Sequence, residues 1–408
     1  MATHLTGSFQ LMKSLNRSLI LNIIRTSGAI PRSEIAKQTG LTPPTVTNIV
    51  SELLDEELVV ESRAGSSNGG RKPILLTINS DSRYIIGVDV GVKKVRLALT
   101  NLNANVIQRK LLPMPHTHAL TTERFLDLLL HAIDTFLTEN ITQKSKIIGI
   151  GVAMHGIVDH EEGIAIHAPT LKLEHVPVKQ VLEQAFNLPV RVENDAKALA
   201  LGEKWFGAGR DVDHFVCLNV GEGIGGGIIL NDHLFHGNNS LAGEIGHTRI
   251  DINGPKCSCG NNGCFQTLAS GQAVKERAHT YIKEGKKTSL VAQAGEDLEA
   301  LDGQLIFKCA EEGDEIARKV LKETGTFLGF GLLNIIHFLN PSMVIIGGGV
   351  SKSGKWILEP AKDVIQSHAL THEAAKTTIV VSELGDEGSL IGACTLVLSE
   401  LFSHVHSK

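Results

Sequence analysis

Residues 247–264 read HTRIDINGPKCSCGNNGC and bring one imidazole and three thiols into a short segment, as His247, Cys257, Cys259 and Cys264. Thiolate sulfur and imidazole nitrogen both suit Zn²⁺, and four such ligands complete a tetrahedron that leaves no position for a catalytic water. Unrelated loop thiols are the alternative, but the whole chain has only six cysteines. The clustering therefore predicts one structural zinc ion per chain.

A carboxylate and four polar or glycine-rich segments accompany this cluster. Glu244 lies three residues before His247, so a metal there would fix its carboxylate beside a pocket. The other segments are IIGVDVGVKK at 85–94, VENDA at 192–196, GEGIGGG (a predicted turn) at 221–227 and VIIGGG at 344–349. In a phosphate-binding hairpin a carboxylate such as Asp89 orients Mg²⁺. Asn194 and Asp195 can bind sugar hydroxyls, with Asp195 as a general base. Each segment alone also fits a structural turn or cap, but their shared order predicts a ligand-binding region.

The sequence pattern changes along the chain, whose 408 residues are too many for a single domain with one hydrophobic core. Residues 1–60 have a helical pattern, residues 61–73 are rich in Gly and Ser, and strands alternate with helices from Tyr84 onward. Strands are predicted at 84–90, 95–99, 147–152, 190–193, 215–220, 227–230, 344–346 and 378–382. Helices of this part are predicted at 122–140, 178–186, 196–206, 314–339 and 389–401. This alternation indicates a mixed or parallel sheet covered by helices.

Charge and composition limit the classes of protein to which this chain can belong. The formal net charge is −5, so any nucleic-acid contact must come from a local patch. We find neither an apolar run long enough to span a bilayer nor a signal-peptide core, and expect no membrane partner. Cys217, Cys309 and Cys394 lie in apolar stretches or a predicted helix and should be buried thiols, which agrees with a reducing cytoplasm.

The N-terminal region predicts a helix-turn-helix followed by a hairpin. Apolar side chains at helical spacing predict helices over residues 14–27, 32–39 and 43–54. Gly40 marks a tight turn, Thr42 is the expected N-cap and Pro43 takes the first helical position. The hairpin is predicted from strands at 58–61 and 74–78, joined by a wing over residues 63–72.

The third helix and the wing are the expected DNA contacts. The outer face of the helix is small and polar, and we expect Thr45, Thr47 and Asn48 to contact bases in the major groove. Arg71 and Lys72 in the wing should contact the phosphate backbone. A three-helix interaction domain with a solvated loop is the alternative. Helices, turn, polar face and basic wing together favour operator DNA as a partner.

These motifs resemble the ROK (repressor, open reading frame, kinase) family, and in particular its repressor branch with an N-terminal winged helix. The segment CSCGNNGC at residues 257–264 is highly specific for the family, and the resemblance covers nearly the whole chain. NGPK at 253–256 and GVDVGV at 87–92 are most similar to xylose repressors of Gram-positive bacteria. The resemblance implies a winged helix-turn-helix followed by a two-lobed actin-like ATPase (ribonuclease H-like) fold.

Domain boundaries and an assembly follow from the same resemblance. We expect a DNA-binding domain over residues 1–79, a first lobe over 80–195 with the C-terminal helix 385–408, and a second lobe with the zinc site over 196–384. Family repressors are typically homodimers or homotetramers that bind palindromic operators near sugar-catabolism genes.

The resemblance also implies roles for individual residues. The residues that match sugar-binding positions are Gly156, Asn194, Asp195, Glu244 and His247. Asp195 also matches the catalytic base of the family's kinases, and His247 matches a zinc ligand together with Cys257, Cys259 and Cys264. Gln266 stands where the family usually has a sugar-binding Glu, and it can still hydrogen bond to a hydroxyl. His155 stands where the family usually has Pro.

The residues together with this resemblance imply a sugar-responsive transcriptional repressor whose cleft binds xylose or a related sugar. The alternative is an ATP-dependent sugar kinase that carries a DNA-binding domain. Asp89, Asp195 and the turn at 221–227 favour the kinase, whereas Val92 and Lys93 replace the small residues that admit ATP phosphates and argue against an ATP–Mg²⁺ cofactor. A third interpretation is control by a protein partner such as a sugar-transport component. Assays of sugar phosphorylation and a pull-down from sugar-fed cells would separate the three.

Overall fold

The computed structural model describes residues 9–62, 73–115, 120–140, 142–295 and 301–402. The predicted wing, with Arg71 and Lys72, lies outside the described residues, and so do residues 403–408 of the predicted C-terminal helix. Of the helices within the described ranges, none is long and apolar enough to cross a membrane.

The N-terminal part is a helix-turn-helix packed on a small antiparallel sheet of order β1-β3-β2. Its elements are α1 (Phe9–Ser27), β1 (Ile30–Pro31), α2 (Arg32–Thr39), α3 (Pro43–Asp55), β2 (Val59–Ser62) and β3 (Leu75–Ile78). The turn before α3 forms as predicted, because Gly40 is left-handed at φ +69° and the Thr42 side chain accepts a hydrogen bond from the Thr45 N–H. The apolar residues of α3 are buried, so its polar face is left outside.

The first lobe is built on a five-stranded sheet of order β11-β7-β4-β5-β6. Its elements are β4 (Tyr84–Val90), β5 (Lys94–Asn101), β6 (Val106–Pro113), α4 (Thr122–Glu139), β7 (Ile147–Met154), β8 (Ile157–Asp159), β9 (Ile164–Ala168), β10 (Leu173–Val176), α5 (Val178–Phe186) and β11 (Val190–Asn194). Strands β8 to β10 form a separate small sheet. Strands β4, β7 and β11 are parallel, and Val90, Met154 and Asn194 end side by side. Their carboxyl ends therefore form one edge of the lobe.

The second lobe contains another five-stranded sheet, of order β14-β13-β12-β15-β16. Elements from here to the C-terminus are α6 (Asp195–Phe206), β12 (Phe215–Val220), β13 (Ile224–Leu230), β14 (His233–Leu234), α7 (Phe265–Ala269), α8 (Gly271–Lys283), α9 (Leu290–Ala294), α10 (Gly303–Glu311), α11 (Glu315–Leu339), β15 (Met343–Gly347), α12 (Lys355–His368), α13 (His372–Ala375), β16 (Thr378–Val381) and α14 (Gly388–Phe402). Each sheet joins an antiparallel trio to a parallel trio through one shared strand, β4 in one lobe and β12 in the other. The two lobes thus repeat one topology, as the predicted actin-like fold requires.

Helices α6 and α14 pack against each other between the two sheets. Glycine permits the close packing of α14 at two positions, one against β7 and one against α6. A Cβ on Gly151 of β7 would lie 1.8 Å from the Ala393 carbonyl oxygen, and one on Gly392 would lie 1.9 Å from the Ala198 carbonyl oxygen. The C-terminal helix α14 therefore returns to the first sheet and also contacts the helix that opens the second lobe.

Part of the predicted glycine turn at 221–227 is wrong, because β13 begins at Ile224. A Cβ on Gly227 would lie 2.4 Å from the Ala200 Cβ, and one on Gly225 would lie 2.8 Å from the Ala196 Cβ. These glycines admit helix α6 against the strand rather than a ligand against the backbone. Strands β6 and β8 to β10 and helix α12 were not predicted.

Candidate metal centre and ligand cleft

The four predicted metal ligands come together at one point in the second lobe. The ligand atoms of His247, Cys257, Cys259 and Cys264 all lie within 4.8 Å of one another. His247 Nδ1 is 3.6 Å from Cys257 Sγ, and Cys259 Sγ is 3.6 Å from Cys264 Sγ. Since Zn–S bonds measure about 2.3 Å, two thiolates of a tetrahedral site lie roughly 3.8 Å apart. The donor set and its spacing therefore fit a zinc ion.

The thiols of this cluster differ in how readily they ionise. A hydrogen bond from the Asn261 backbone N–H lowers the pKa of Cys259 to about 6, so its thiolate predominates at neutral pH. Burial raises the pKa of Cys264 to about 12. A coordinated cation would reverse that effect, because metal binding deprotonates a thiol. One thiolate ligand is thus ready before any metal arrives.

The local backbone explains why the thiols meet His247. Arg249 and Cys264 form an isolated antiparallel bridge that returns the chain to its starting point. Gly263 has φ +62°, and a Cβ there would lie 1.4 Å from the Asp251 carbonyl oxygen. Only glycine fits this close approach. The segment between the bridge partners therefore folds back as a knuckle.

Asn194 and Gly156 lie together where the parallel strands of the first lobe end. The Asn194 side-chain oxygen accepts hydrogen bonds from the N–H groups of Ala196 and Lys197, at 3.0 and 3.1 Å, and so caps helix α6. Its amide nitrogen donates to the Gly156 carbonyl oxygen at 2.8 Å. Because an amide nitrogen carries two hydrogens, one N–H of Asn194 is left for a ligand.

Asp195 begins helix α6 and faces the cleft between the lobes. Its Oδ1 accepts a hydrogen bond from the Ala196 N–H at 2.8 Å. Burial raises the pKa of its carboxyl group, the neighbouring carboxylates of Asp89 and Glu244 raise it further, and His155 opposes them. Three residues that the sequence placed far apart therefore surround Asp195. The Asp195 carboxyl group accepts hydrogen bonds when ionised and donates one when protonated, and the hydroxyls of a sugar can match either form.

Glu244, His247 and Gln266 connect the cleft to the metal cluster. Glu244 Oε2 lies 4.0 Å from His247 Nε2, on the side of the imidazole opposite the nitrogen that faces Cys257. The Gln266 amide nitrogen donates to Cys257 Sγ at 3.3 Å. A carboxylate at position 266 would meet that sulfur without a hydrogen to donate, so the glutamine suits a thiolate neighbour. A bound ion would thereby fix two predicted sugar contacts, His247 as its own ligand and Gln266 through Cys257.

The hairpin that would hold ATP phosphates has its charges paired within the protein. Asp89 is buried and its carboxylate lies 2.7 Å from the Arg96 guanidinium. Lys93 Nζ lies 2.5 Å from Glu222 Oε1, which joins the two lobes at the mouth of the cleft. The carboxylate that would orient Mg²⁺ is thus paired with an arginine of the same hairpin.

A buried polar cluster below the cleft escaped prediction. Glu193, His160 and His236 have ligand atoms close enough together to hold a metal. However, the ammonium of Lys197, only 2% exposed, adjoins the same carboxylate. A second cation there would leave that ammonium buried and unbalanced. Glu193 directly precedes the Asn194–Asp195 pair and Lys197 follows it by two residues, and this nearness to the pair is the signal that the sequence offers.

The predicted base-contacting residues lie on one accessible side of α3. Thr47 and Asn48 are exposed, and Thr45 is partly exposed. The Thr47 hydroxyl donates to the Pro43 carbonyl oxygen at 2.9 Å. At the far end of the helix, a hydrogen bond from Arg17 lowers the pKa of Glu56. The acidic end of α3 is thus partly neutralised within the domain.

A stacked contact joins the helix-turn-helix to the lobes, which the sequence did not reveal. The Arg25 guanidinium of α1 lies 3.9 Å from the Trp205 ring centroid at the end of α6. The Trp205 ring meets Phe402 of α14 edge-on, with centroids 6.0 Å apart. Burial lowers the pKa of Arg25 to about 10, so it remains a cation at neutral pH. The three helices therefore meet at one cation–π contact.

Comparison with known proteins identifies the class. The ROK family model matches residues 85–400, and the MarR family model matches residues 13–65. The chain belongs to the ROK family, and the N-terminal winged helix expected from the sequence is also confirmed.

Relatives extend the likeness over nearly the whole length. The chain is 36% identical to the xylose repressor of Caldicellulosiruptor bescii over 97% of its own length and 98% of that protein. The structure of a ROK family transcriptional regulator, a homolog of the E. coli MLC protein, is similar at 28% identity, with a TM-score of 0.84 and coverage of 96% and 97%. A ROK family glucokinase from Streptomyces griseus, solved with glucose and AMPPNP, shares 30% identity with a TM-score of 0.68, over 77% of this chain and 98% of that one.

Proposed function

We propose that this protein is a sugar-responsive transcriptional repressor that binds operator DNA of carbohydrate-utilisation genes. The effector is xylose or a related sugar, held in the cleft between the lobes. The observation that carries the proposal is the placement of helix α6. Its first residue, Asp195, faces the cleft, and its penultimate residue, Trp205, contacts the DNA-binding part.

Helix α6 provides a rigid connection between the two sites. Its 12 residues span about 18 Å at 1.5 Å per residue. It packs along α14, so a shift at one end is carried to the other rather than absorbed by a loop. Closure of the cleft on a sugar would move Trp205 against Arg25 and change the position of the winged helix. In a dimer with half-sites about 34 Å apart, a small rotation of that kind changes operator affinity.

The proposed ligand contacts follow the geometry of the cleft. Residues proposed to bind the sugar are Gly156, Asn194, Asp195, Glu244, His247 and Gln266. Neighbouring hydroxyls would bond to the carboxylates, as buried charged groups favour strong hydrogen bonds. One Zn²⁺ per chain, held by His247 and the three clustered thiols, would supply no chemistry and would fix the segment that carries Glu244.

Operator contacts are proposed for both predicted elements. Thr45, Thr47 and Asn48 would contact bases, and Arg71 and Lys72 would contact phosphates. Operators read by two copies of the winged helix imply a homodimer or homotetramer. We place the protein in the cytoplasm with its DNA, and its six cysteines, all among the described residues, form no disulfide, which agrees with a reducing compartment.

The test is operator binding measured with and without D-xylose, on an operator selected from a random-sequence pool. A specific operator whose affinity changes with the sugar supports the proposal. Likeness to the glucokinase and retention of Asp195 favour a sugar kinase as the second candidate. Sugar-dependent ATP hydrolysis by the intact protein would support that candidate, and its absence would leave the repressor alone.

A further inference from the structure

Below the cleft, a buried polar network joins segments from both lobes. Glu193, only 1% exposed, is the penultimate residue of β11, and its Oε2 lies 2.7 Å from Nε2 of His236, which follows β14. The His236 ring stacks on that of His160, which follows β8, with centroids 3.6 Å apart and planes 6° apart. His160 Nδ1 is 3.2 Å from Ser240 Oγ, and Lys197 Nζ donates to the Ser240 carbonyl oxygen at 2.6 Å. We call these five residues the histidine network.

The network lies close along the chain to four of the proposed sugar ligands, Gly156, Asn194, Asp195 and Glu244. Glu193 Oε1 accepts a hydrogen bond from the Asn194 N–H at 2.8 Å. His160 lies four residues after Gly156, and Ser240 lies four residues before Glu244. None of the proposed sugar contacts belongs to the network itself. Its side chains therefore set where those contacts stand relative to one another.

We propose that His160, Glu193, His236 and Lys197 are positioning residues that hold the two sides of the cleft together, and that sugar binds tightly only while the His160 imidazole is uncharged. This inference rests on the proposed sugar effector. A carboxylate only accepts, so His236 Nε2 must carry the proton that reaches Glu193. Lys197 balances the buried charge of Glu193, so a proton on His160 would add an unbalanced positive charge to the network.

Acid should weaken the network at His160. The groups that face its ring are His236, Glu193, Glu161 and Lys197. Burial lowers the pKa of His160, and His236 and Lys197 lower it further against the two carboxylates. Because the folded network binds this proton less tightly than the unfolded chain, its stability is complete above about pH 6.5, the usual pKa of histidine, and falls as the pH drops below that value.

The test follows the pH dependence of two properties of the full chain. Calorimetric titration with D-xylose, from about pH 8 to about pH 5.5, should show affinity falling, by up to tenfold per pH unit, as the pH drops through the lowered pKa of His160. Without sugar, amide exchange protection factors over residues 233–244 should fall in the same range. His160→Phe keeps a stacking ring without a titrating group, so it should flatten the exchange profile and remove the part of the affinity profile that His160 contributes, leaving the part due to the Asp195 carboxyl group. His131→Phe, at an exposed position on α4, should change neither.

The outcomes of these measurements distinguish failure of the histidine network from failure of the proposed effector. If His160→Phe keeps the parent's pH dependence, or if the parent's protection factors do not change with pH, the proposal is overturned. If His160→Phe fails to fold, the parent's own profile still decides, together with Glu193→Gln, which keeps the shape of the side chain but removes its charge and should lower protection over residues 233–244 at pH 8. If D-xylose binds at no pH, the proposed effector is wrong. The pH dependence of amide exchange still tests whether protonation weakens the histidine network.

Discussion

Replacing Trp205 by leucine should uncouple sugar binding from operator affinity while leaving both sites intact. Trp205 is the penultimate residue of the helix that Asp195 begins, and its ring centroid lies 3.9 Å from the Arg25 guanidinium. Leucine keeps an apolar side chain but removes the ring. A partly buried cation–π contact contributes about 0.5–2 kcal/mol. If that contact differs between the sugar-bound and sugar-free states, its loss reduces the coupling by roughly two- to thirtyfold.

The assay is fluorescence anisotropy of a labelled operator, titrated with protein in the presence and absence of saturating D-xylose. The ratio of the two dissociation constants measures the coupling. The chain offers a matched control in Trp356, whose ring lies 4.9 Å from the Arg318 guanidinium within the second lobe. Trp356→Leu should keep the parent's ratio, and Trp205→Leu should bring the ratio close to one.

Thermodynamic reciprocity provides a second measurement on the same variant, the effect of operator on sugar affinity. Operator should change sugar affinity by the same factor that sugar changes operator affinity, and Trp205→Leu should remove both effects equally. A variant that folds, binds sugar and operator, and keeps the parent's ratio would refute α6 as the connection between the sites.

Three further changes test the individual sites. Cys259→Ser should lose the bound metal and weaken sugar binding, and metal analysis of protein purified without chelator should find one zinc per parent chain; stoichiometric absence would contradict the site. Asn48→Ala should cost about 1–3 kcal/mol at the operator and relax its specificity, whereas equal loss on random DNA would show that α3 is not the base-contacting helix. Asp195→Asn should bind operator normally and respond only at ten- to hundredfold higher sugar, since a hydrogen bond to a buried carboxylate contributes roughly 1.5–3 kcal/mol. A sugar-dependent ATPase in the parent that Asp195→Asn abolishes would instead establish kinase activity.

Elements with a strong local pattern could be predicted from the sequence. Strands β4 and β12 and helices α2 and α5 have the predicted bounds, because buried strands form continuous apolar runs and short helices carry clear stripes. The metal ligands could also be predicted, since three of them are neighbours in sequence.

Elements that depend on distant partners could not be predicted. β6 is an edge strand whose residues alternate between partial and full exposure, and α12 carries Pro360 in its interior, so neither has a clean pattern. The sequence predicts a ligand turn at the glycines of β13 because their packing against α6 depends on tertiary structure, although the helix itself is predicted. The stack of Arg25 on Trp205 joins residues 180 positions apart and follows from tertiary packing alone.

The most direct test of the proposed function is one titration of D-xylose into the complex of this protein with its selected operator, with glucose and N-acetylglucosamine as comparison sugars. The repressor proposal predicts that at least one sugar changes operator affinity by about fivefold or more. A sugar that binds the protein but leaves operator affinity unchanged, or the failure to select any specific operator, would contradict it.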